Sequence, residues 1–160
     1  MKYLGFLFLI PIIFISCTGK TAIGYNDSII KPQLKIVSEM DTIFAGPETS
    51  VETIGKNREE MIQIAKNALT EIQNLEDFKG NSSFKSSALK YFSFVQNYFS
   101  NTENLDSIIY KFNSEERIQS LTEEEYTETQ NKFNEYLDLE KELLAEQKKF
   151  AEEFNMPLLK

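Results

Sequence analysis

Apolar residues recur every three or four positions along four stretches of this chain, and the residues between the stretches start and stop helices. A chain punctuated in this way has few options. Each stretch becomes a helix with one wet face and one dry face, and the dry faces must find each other.

In the first stretch Tyr25-Asn26-Asp27-Ser28 offers N-cap residues, and Ile30, Leu34, Val37, Met40 and Phe44 make the stripe. Pro32 is tolerated if the helix begins close before it, where a missing N–H is harmless. The β-branched residues of 29–37 also allow a strand there. The three-four spacing favours helix, ended by Ala45-Gly46-Pro47. The second helix is expected over 49–78 on Ile54, Met61, Ala65, Ala68, Ile72 and Leu75, weakened near its start by Gly55 and stopped by Gly80.

The third stretch is the most aromatic: Phe84, Ala88, Tyr91, Phe92, Phe94, Val95, Tyr98 and Phe99. Positions 91–99 fill an arc of roughly 160° at ~100° per residue, wider than the ~100° a surface helix needs. Leu105, Ile108, Ile109 and Phe112 continue it, so one helix is expected to run through Asn101-Thr102. After a polar link comes Leu121-Thr122-Glu123-Glu124-Glu125-Tyr126, a capping box with Thr122 as cap, Glu125 as its partner and Leu121 able to staple against Tyr126. The fourth helix then runs to about Asn155 on Phe133, Leu137, Leu144, Ala151 and Phe154, with Tyr136, Leu143 and Phe150 beside them.

The expected fold is all-α, an antiparallel up-down four-helix bundle with two longer C-terminal helices. A coiled-coil dimer is the competing arrangement, but separately capped segments favour a core within one chain.

Ahead of the bundle, Lys2 precedes an uncharged apolar run from Tyr3 to Ile15, and Ser16 stands before Cys17, the only cysteine. That is a secretory leader, with a run too short for the about 20 residues of a membrane span. A cysteine directly after the cleavage site is what a bacterial lipoprotein signal requires, in a relaxed form here because Phe14 stands where Leu is usual. The division is therefore residues 1–16 as lipoprotein signal peptide, 17–25 as lipidated Cys17 and flexible tether, and 26–156 as one helical domain. The membrane partner is reached through the lipid on Cys17, and the address is the bacterial envelope, in the outer membrane, facing the periplasm or the surface.

Composition narrows the chemistry. The net charge is −8, and loss of Lys2 with the leader leaves 16 basic against 25 acidic residues. Such a chain repels nucleic acid and anionic headgroups. There is no histidine, and no cysteine follows Cys17. Ser-His-Asp and Cys-His catalysis, Cys/His zinc sites and an internal disulfide are thereby removed.

The acidic clusters Glu59-Glu60, Glu123-Glu124-Glu125 and Glu152-Glu153 read as solvated helix surface. A di-metal bundle site takes Glu-x-x-His, and no calcium loop is present. Nothing singles out two carboxylates as a glycosidase pair, and the Gly-Lys-Thr at 19–21 follows no strand. No catalytic residue, metal or cofactor is expected.

Two sets of residues remain as candidates. Asp41, Arg58 and Glu140, joined by Gln147 one heptad on, interrupt the apolar stripes. They are either a buried polar cluster able to hold a polar ligand or hydrophilic residues at stripe edges. Tyr91, Phe92, Phe94, Tyr98 and Phe99 are either a face for a protein partner or core between two neighbouring helices.

Tyr25-Asn26-Asp27 opening the first helix, Phe78-Lys79-Gly80 closing the second, and Lys149-Phe150-Ala151-Glu152-Glu153-Phe154-Asn155 near the end carry a resemblance. On these short motifs the chain resembles a family of small surface lipoproteins from spirochaetes and Bacteroidetes. The resemblance implies the same address and a helical fold, and brings no reaction or site residues with it. The function expected is a lipid-anchored, non-enzymatic binding or structural module; the alternative is a lipoprotein holding a small polar ligand in the bundle, with carboxylate chemistry.

Overall fold

The computed structural model describes residues 21–157. The leader and Cys17 lie outside the described residues. Within them the chain is all-helical, with six helices: α1 (Ala22–Ile43), α2 (Val51–Gln73), α3 (Ser83–Asn101), α4 (Leu105–Phe112), α5 (Glu115–Ile118) and α6 (Glu123–Glu153). No described helix is long and apolar enough to cross a membrane.

The helix starts follow the local chemistry. Thr21, Ser50 and Thr122 each accept the backbone N–H three residues on, and Thr122 and Glu125 form the full reciprocal box. Glu125 accepts from the Thr122 backbone, which lowers its pKa. α2 ends at Gln73 with a right-handed cap at Asn74, short of the expected end at 78, and left-handed Lys79 and Gly80 belong to the turn between Phe78 and Asn81. α6 stops on left-handed Asn155, just past its C-cap Phe154. The Met156 N–H then reaches back to the Ala151 carbonyl at 2.8 Å, and the Met156 side chain is buried.

Other expectations need correction too. The first helix starts at Ala22, so residues 22–25 belong to the domain and Tyr25 is one of its most buried side chains. Pro32 consequently sits in the middle of α1, with no N–H to give the Ser28 carbonyl. The long third helix is two. Thr102 turns extended and Asn104 is left-handed, which breaks the helix between α3 and α4. The two C-terminal helices are accordingly short α4 and long α6, with α5 as a single turn between them.

The stripe of α2 is as read: Ile54, Met61, Ala65, Ala68, Ile72 and Leu75 are all buried. On α1 and α6 it is displaced by one residue, apart from Met40 and Ala151, which are buried as expected. Ile29, Ile36, Met40 and Ile43 go inward while Leu34 stands 59% exposed. On α6 the inward line is Thr129, Tyr136, Leu143 and Phe150, an exact heptad, and Leu137 and Leu144 are exposed.

Packing follows the chain: α1 on α2, α2 on α3, and α3 on α6, with α4 laid against α2 and α6. α1 and α6 approach each other less closely and meet through long side chains. Tyr25 stacks on Phe150 at 5.4 Å and Phe44 packs on Phe133 at 5.3 Å. Phe150 is the hub of an aromatic knot at this end, touching Phe78, Phe84 and Phe154 as well.

Candidate functional site

The polar residues that interrupt the stripes do not gather in one cavity. Each is committed to a partner on another helix, save Asp41, which is exposed. Arg58 of α2 takes Asp106 of α4 in a two-pronged pair, Nε to Oδ1 at 2.5 Å and Nη2 to Oδ2 at 3.2 Å. Its remaining nitrogen donates to the Phe99 carbonyl at 2.7 Å, so one guanidinium ties α2, α4 and the end of α3 together. Gly55 makes room for this. A Cβ there would lie 2.9 Å from the Asp106 carboxylate, so the glycine that weakens helix propensity admits the ion pair.

Glu140 and Gln147 belong to a different arrangement. Gln33 Nε2 donates to Glu140 Oε1 at 2.8 Å, and Gln147 Nε2 donates to Asn26 Oδ1 at 2.8 Å. Asn26 and Gln33 are one heptad apart on α1, as Glu140 and Gln147 are on α6, and both α1 residues are buried. Two polar rungs thus close the wide α1–α6 seam. Amide and carboxylate side chains reach across a gap that leucines would leave void, and they fix register as polar residues do in coiled coils.

Below the Gln33–Glu140 rung the hydroxyls of Tyr91 and Tyr136 meet at 3.1 Å. Burial pushes Tyr91 above its usual range and Tyr136 up to about 12, so both stay protonated.

The Gln33–Glu140 rung is half satisfied. The buried Gln33 Oε1 has no partner, and burial with the nearby Asp41 charge raises the Glu140 pKa, against the lowering effect of Gln33. A group whose folded pKa is raised binds its proton more tightly in the folded state. Its favourable contribution is therefore complete below the unfolded carboxylate value and lost as pH rises through the folded one.

Glu140→Gln keeps the acceptor for Gln33 Nε2 and adds an N–H for the orphaned oxygen. We expect it to stabilise the domain by about 1 kcal/mol at neutral pH. The gain over wild type should shrink as the pH falls to where Glu140 is protonated. Thermal melts from pH 4 to 8 measure this, and a variant less stable than wild type at pH 7 would refute the reading.

The aromatic set divides. Tyr91, Phe92 and Phe99 are in the core, at 0%, 0% and 2% exposure, so they form no outward face. The wide arc of α3 is the consequence of packing against α2 on one side and α6 on the other. Phe94 and Tyr98 are half-buried and stacked at 5.7 Å beside α6, with the Lys132 ammonium 5.7 Å from the Phe94 ring.

The concavities of the described surface are open ones. One of about 780 Å³ is a flank of α6 alone, lined by residues such as Glu123, Glu124, Glu128 and Lys132. A space next to Tyr136, Phe133 and Met40 holds only about 10 Å³, room for one water at most. No group of three or more acidic or cysteine side chains among the described residues is placed to hold a metal ion.

Asp106, Asn26 and Gln33 are the residues the sequence reading missed. Asn26 and Gln33 carried a usable signal, since they break the α1 stripe at the same seven-residue spacing with which Glu140 and Gln147 break that of α6. Asp106 carried none, because α4 was read as a continuation of α3. Compared with family models, curated proteins and solved structures, the chain has no match.

Proposed function

We propose that this chain is a lipid-anchored protein of the bacterial cell envelope, whose helical domain acts as a non-enzymatic binding or structural module. One observation carries the second half of that reading. The side chains best suited to chemistry, Arg58, Asp106, Glu140 and Gln147, use their polar atoms to hold helices together. Arg58 and Asp106 spend both prongs on each other, and Glu140 Oε1 accepts from Gln33, which supports a structural use of these side chains. In the same proposal the long helices α1, α2, α3 and α6 form an antiparallel up-down bundle. The pairs 25 with 150, 26 with 147, 33 with 140 and 44 with 133 support this, since one number rises as the other falls.

The anchor rests on the leader and on Cys17, and the resemblance to small surface lipoproteins of spirochaetes and Bacteroidetes agrees with it. α1 begins at Ala22, so the tether is only the few residues after Cys17, and the bundle would stand close to the lipid surface. Retention comes from the acyl chains, at about 0.8 kcal/mol per buried CH₂. An acidic domain adds no electrostatic attraction to anionic headgroups.

Replacing Cys17 tests the anchor. Wild type should enter the detergent phase on phase separation and incorporate labelled palmitate, and Cys17→Ala should do neither. A Cys17→Ala protein that still takes up palmitate would sink the proposal.

A further inference from the structure

Six large apolar side chains among the described residues stand more than a third exposed, and three of them gather at one place. Leu34 follows Gln33, whose amide holds Glu140, and Leu137 and Leu144 lie one helical turn to either side of Glu140. At about 100° per residue these two leucines share the edge of α6 that looks toward α1. Their exposures are 43% and 42%, and that of Leu34 is 59%. Ile30 and Val37, half-buried, extend the α1 wall. These side chains lie beside the α1–α6 seam, which the Gln33–Glu140 and Asn26–Gln147 rungs bridge.

Along the leucine lines the two walls carry opposite charges, with Lys31 beside Asp27 on α1 and Asp138 beside Lys141 on α6. Asp27 and Asp41 stand one heptad before and after Leu34, so α1 presents acid, leucine, acid along a single line. On α6, Lys141 and Lys148 alternate with Leu137 and Leu144. We propose that a second copy of this chain docks here, with α1 of each copy lying along α6 of the other.

A two-fold exchange places each wall against its opposite, as an isologous interface requires. With the copies level, residue 33 of one lies beside residue 140 of the other, as within a single chain. Asp27 then meets Lys148 of the second copy, and Leu34 seats between Leu137 and Leu144 of the second copy. The surface pair Asp27–Lys31, at 3.0 Å and largely exposed, gives up little in the exchange.

The area is sufficient. α1 has 22 residues, hence a length of about 33 Å, and two helices side by side are about 20 Å wide. That gives at most about 660 Å² per copy, or about 1,300 Å² for the pair, above the roughly 1,000 Å² in total that a specific interface needs.

The test is sedimentation velocity of the full chain in non-ionic detergent, up to about 100 µM. Wild type should sediment as two chains. Leu137→Glu should weaken the association by about 30-fold or more with unchanged helical circular dichroism. Lys148→Asp should weaken it too, and adding Asp27→Lys should restore it. This charge exchange sits on the surface and remains decisive even where Leu137→Glu impairs folding.

A single-chain species at the highest concentration would overturn the proposal, as would a dimer indifferent to both Leu137→Glu and the Lys148 exchange. The Cys17→Ala chain gives a further arm. If it floats with phosphatidylcholine vesicles and Leu137→Glu abolishes that, the leucine face meets lipid and the second copy is wrong.

Discussion

Phe150→Ala should cost about 3–5 kcal/mol of unfolding free energy, the largest loss expected from one substitution in this domain. Phe150 is fully buried, and its ring lies 5.4 Å from Tyr25, 5.4 Å from Phe78, 5.2 Å from Phe84 and 4.8 Å from Phe154. Those rings come from α1, the link after α2, α3 and the end of α6, so four parts of the chain lose the same contact. Rings are stiff and cannot collapse to fill the void as leucines do. Each lost aromatic pair adds about 0.5–1.5 kcal/mol beyond area burial. Against a total stability of about 5–15 kcal/mol, the variant keeps only a fraction of its margin. Urea unfolding followed by circular dichroism measures it: the midpoint should fall with little change in slope. A loss below about 1 kcal/mol would show that the knot is not the energetic centre of this end.

The second large effect concerns the Arg58–Asp106 pair. The two side chains are 21% and 25% exposed, between a surface ion pair and a sealed one. Arg58→Met should cost about 2–3 kcal/mol, less than the 3–5 for breaking a fully buried pair and well above the 0–1 of an exposed one. The loss has two parts, the unpaired Asp106 carboxylate and the Phe99 carbonyl left without its donor.

Removing both charges together, as Arg58→Met with Asp106→Leu, should cost less than Arg58→Met alone, because no charge is then stranded. Strictly additive losses in the double-mutant cycle would contradict this account. The pair should also resist salt, since solvent ions screen it poorly.

The stripe of α2 is legible because its extra apolar residues fall on both edges of it. Ile62 and Leu69 lie on one side of the line Ile54, Met61, Ala65, Ala68 and Ile72, and Ile64 on the other, so the centre of the arc is fixed. The stripes of α1 and α6 slipped by one residue for the opposite reason. Ile29-Ile30, Ile36-Val37, Tyr136-Leu137 and Leu143-Leu144 are adjacent apolar pairs, and either member of each pair fits a helical period. Periodicity alone cannot choose between faces about 100° apart. The choice is made by the neighbour: Asn26 and Gln33 can meet Gln147 and Glu140 only if Ile29 and Leu143 turn inward.

The break at Asn101–Asn104 was hidden by an apolar pattern that continues unbroken on both sides of it. No proline or glycine marks the turn; the left-handed φ of Asn104 does, and asparagine tolerates that conformation at small cost.

What the sequence determined by itself is local: the helical character of the described chain, the inward line of α2 and the capping box that starts α6 at Thr122. These depend on residues within a few positions of one another, where hydrogen-bond geometry and backbone strain act without reference to the rest of the fold. Only the tertiary structure decided which polar residues are partners. Arg58 finds Asp106 across 48 residues, and Gln33 finds Glu140 across 107. A charge on a helix stripe is equally compatible with solvent, a ligand or a buried partner. What separates the three is the desolvation cost of the burial that packing imposes, and that exists only once the helices have met.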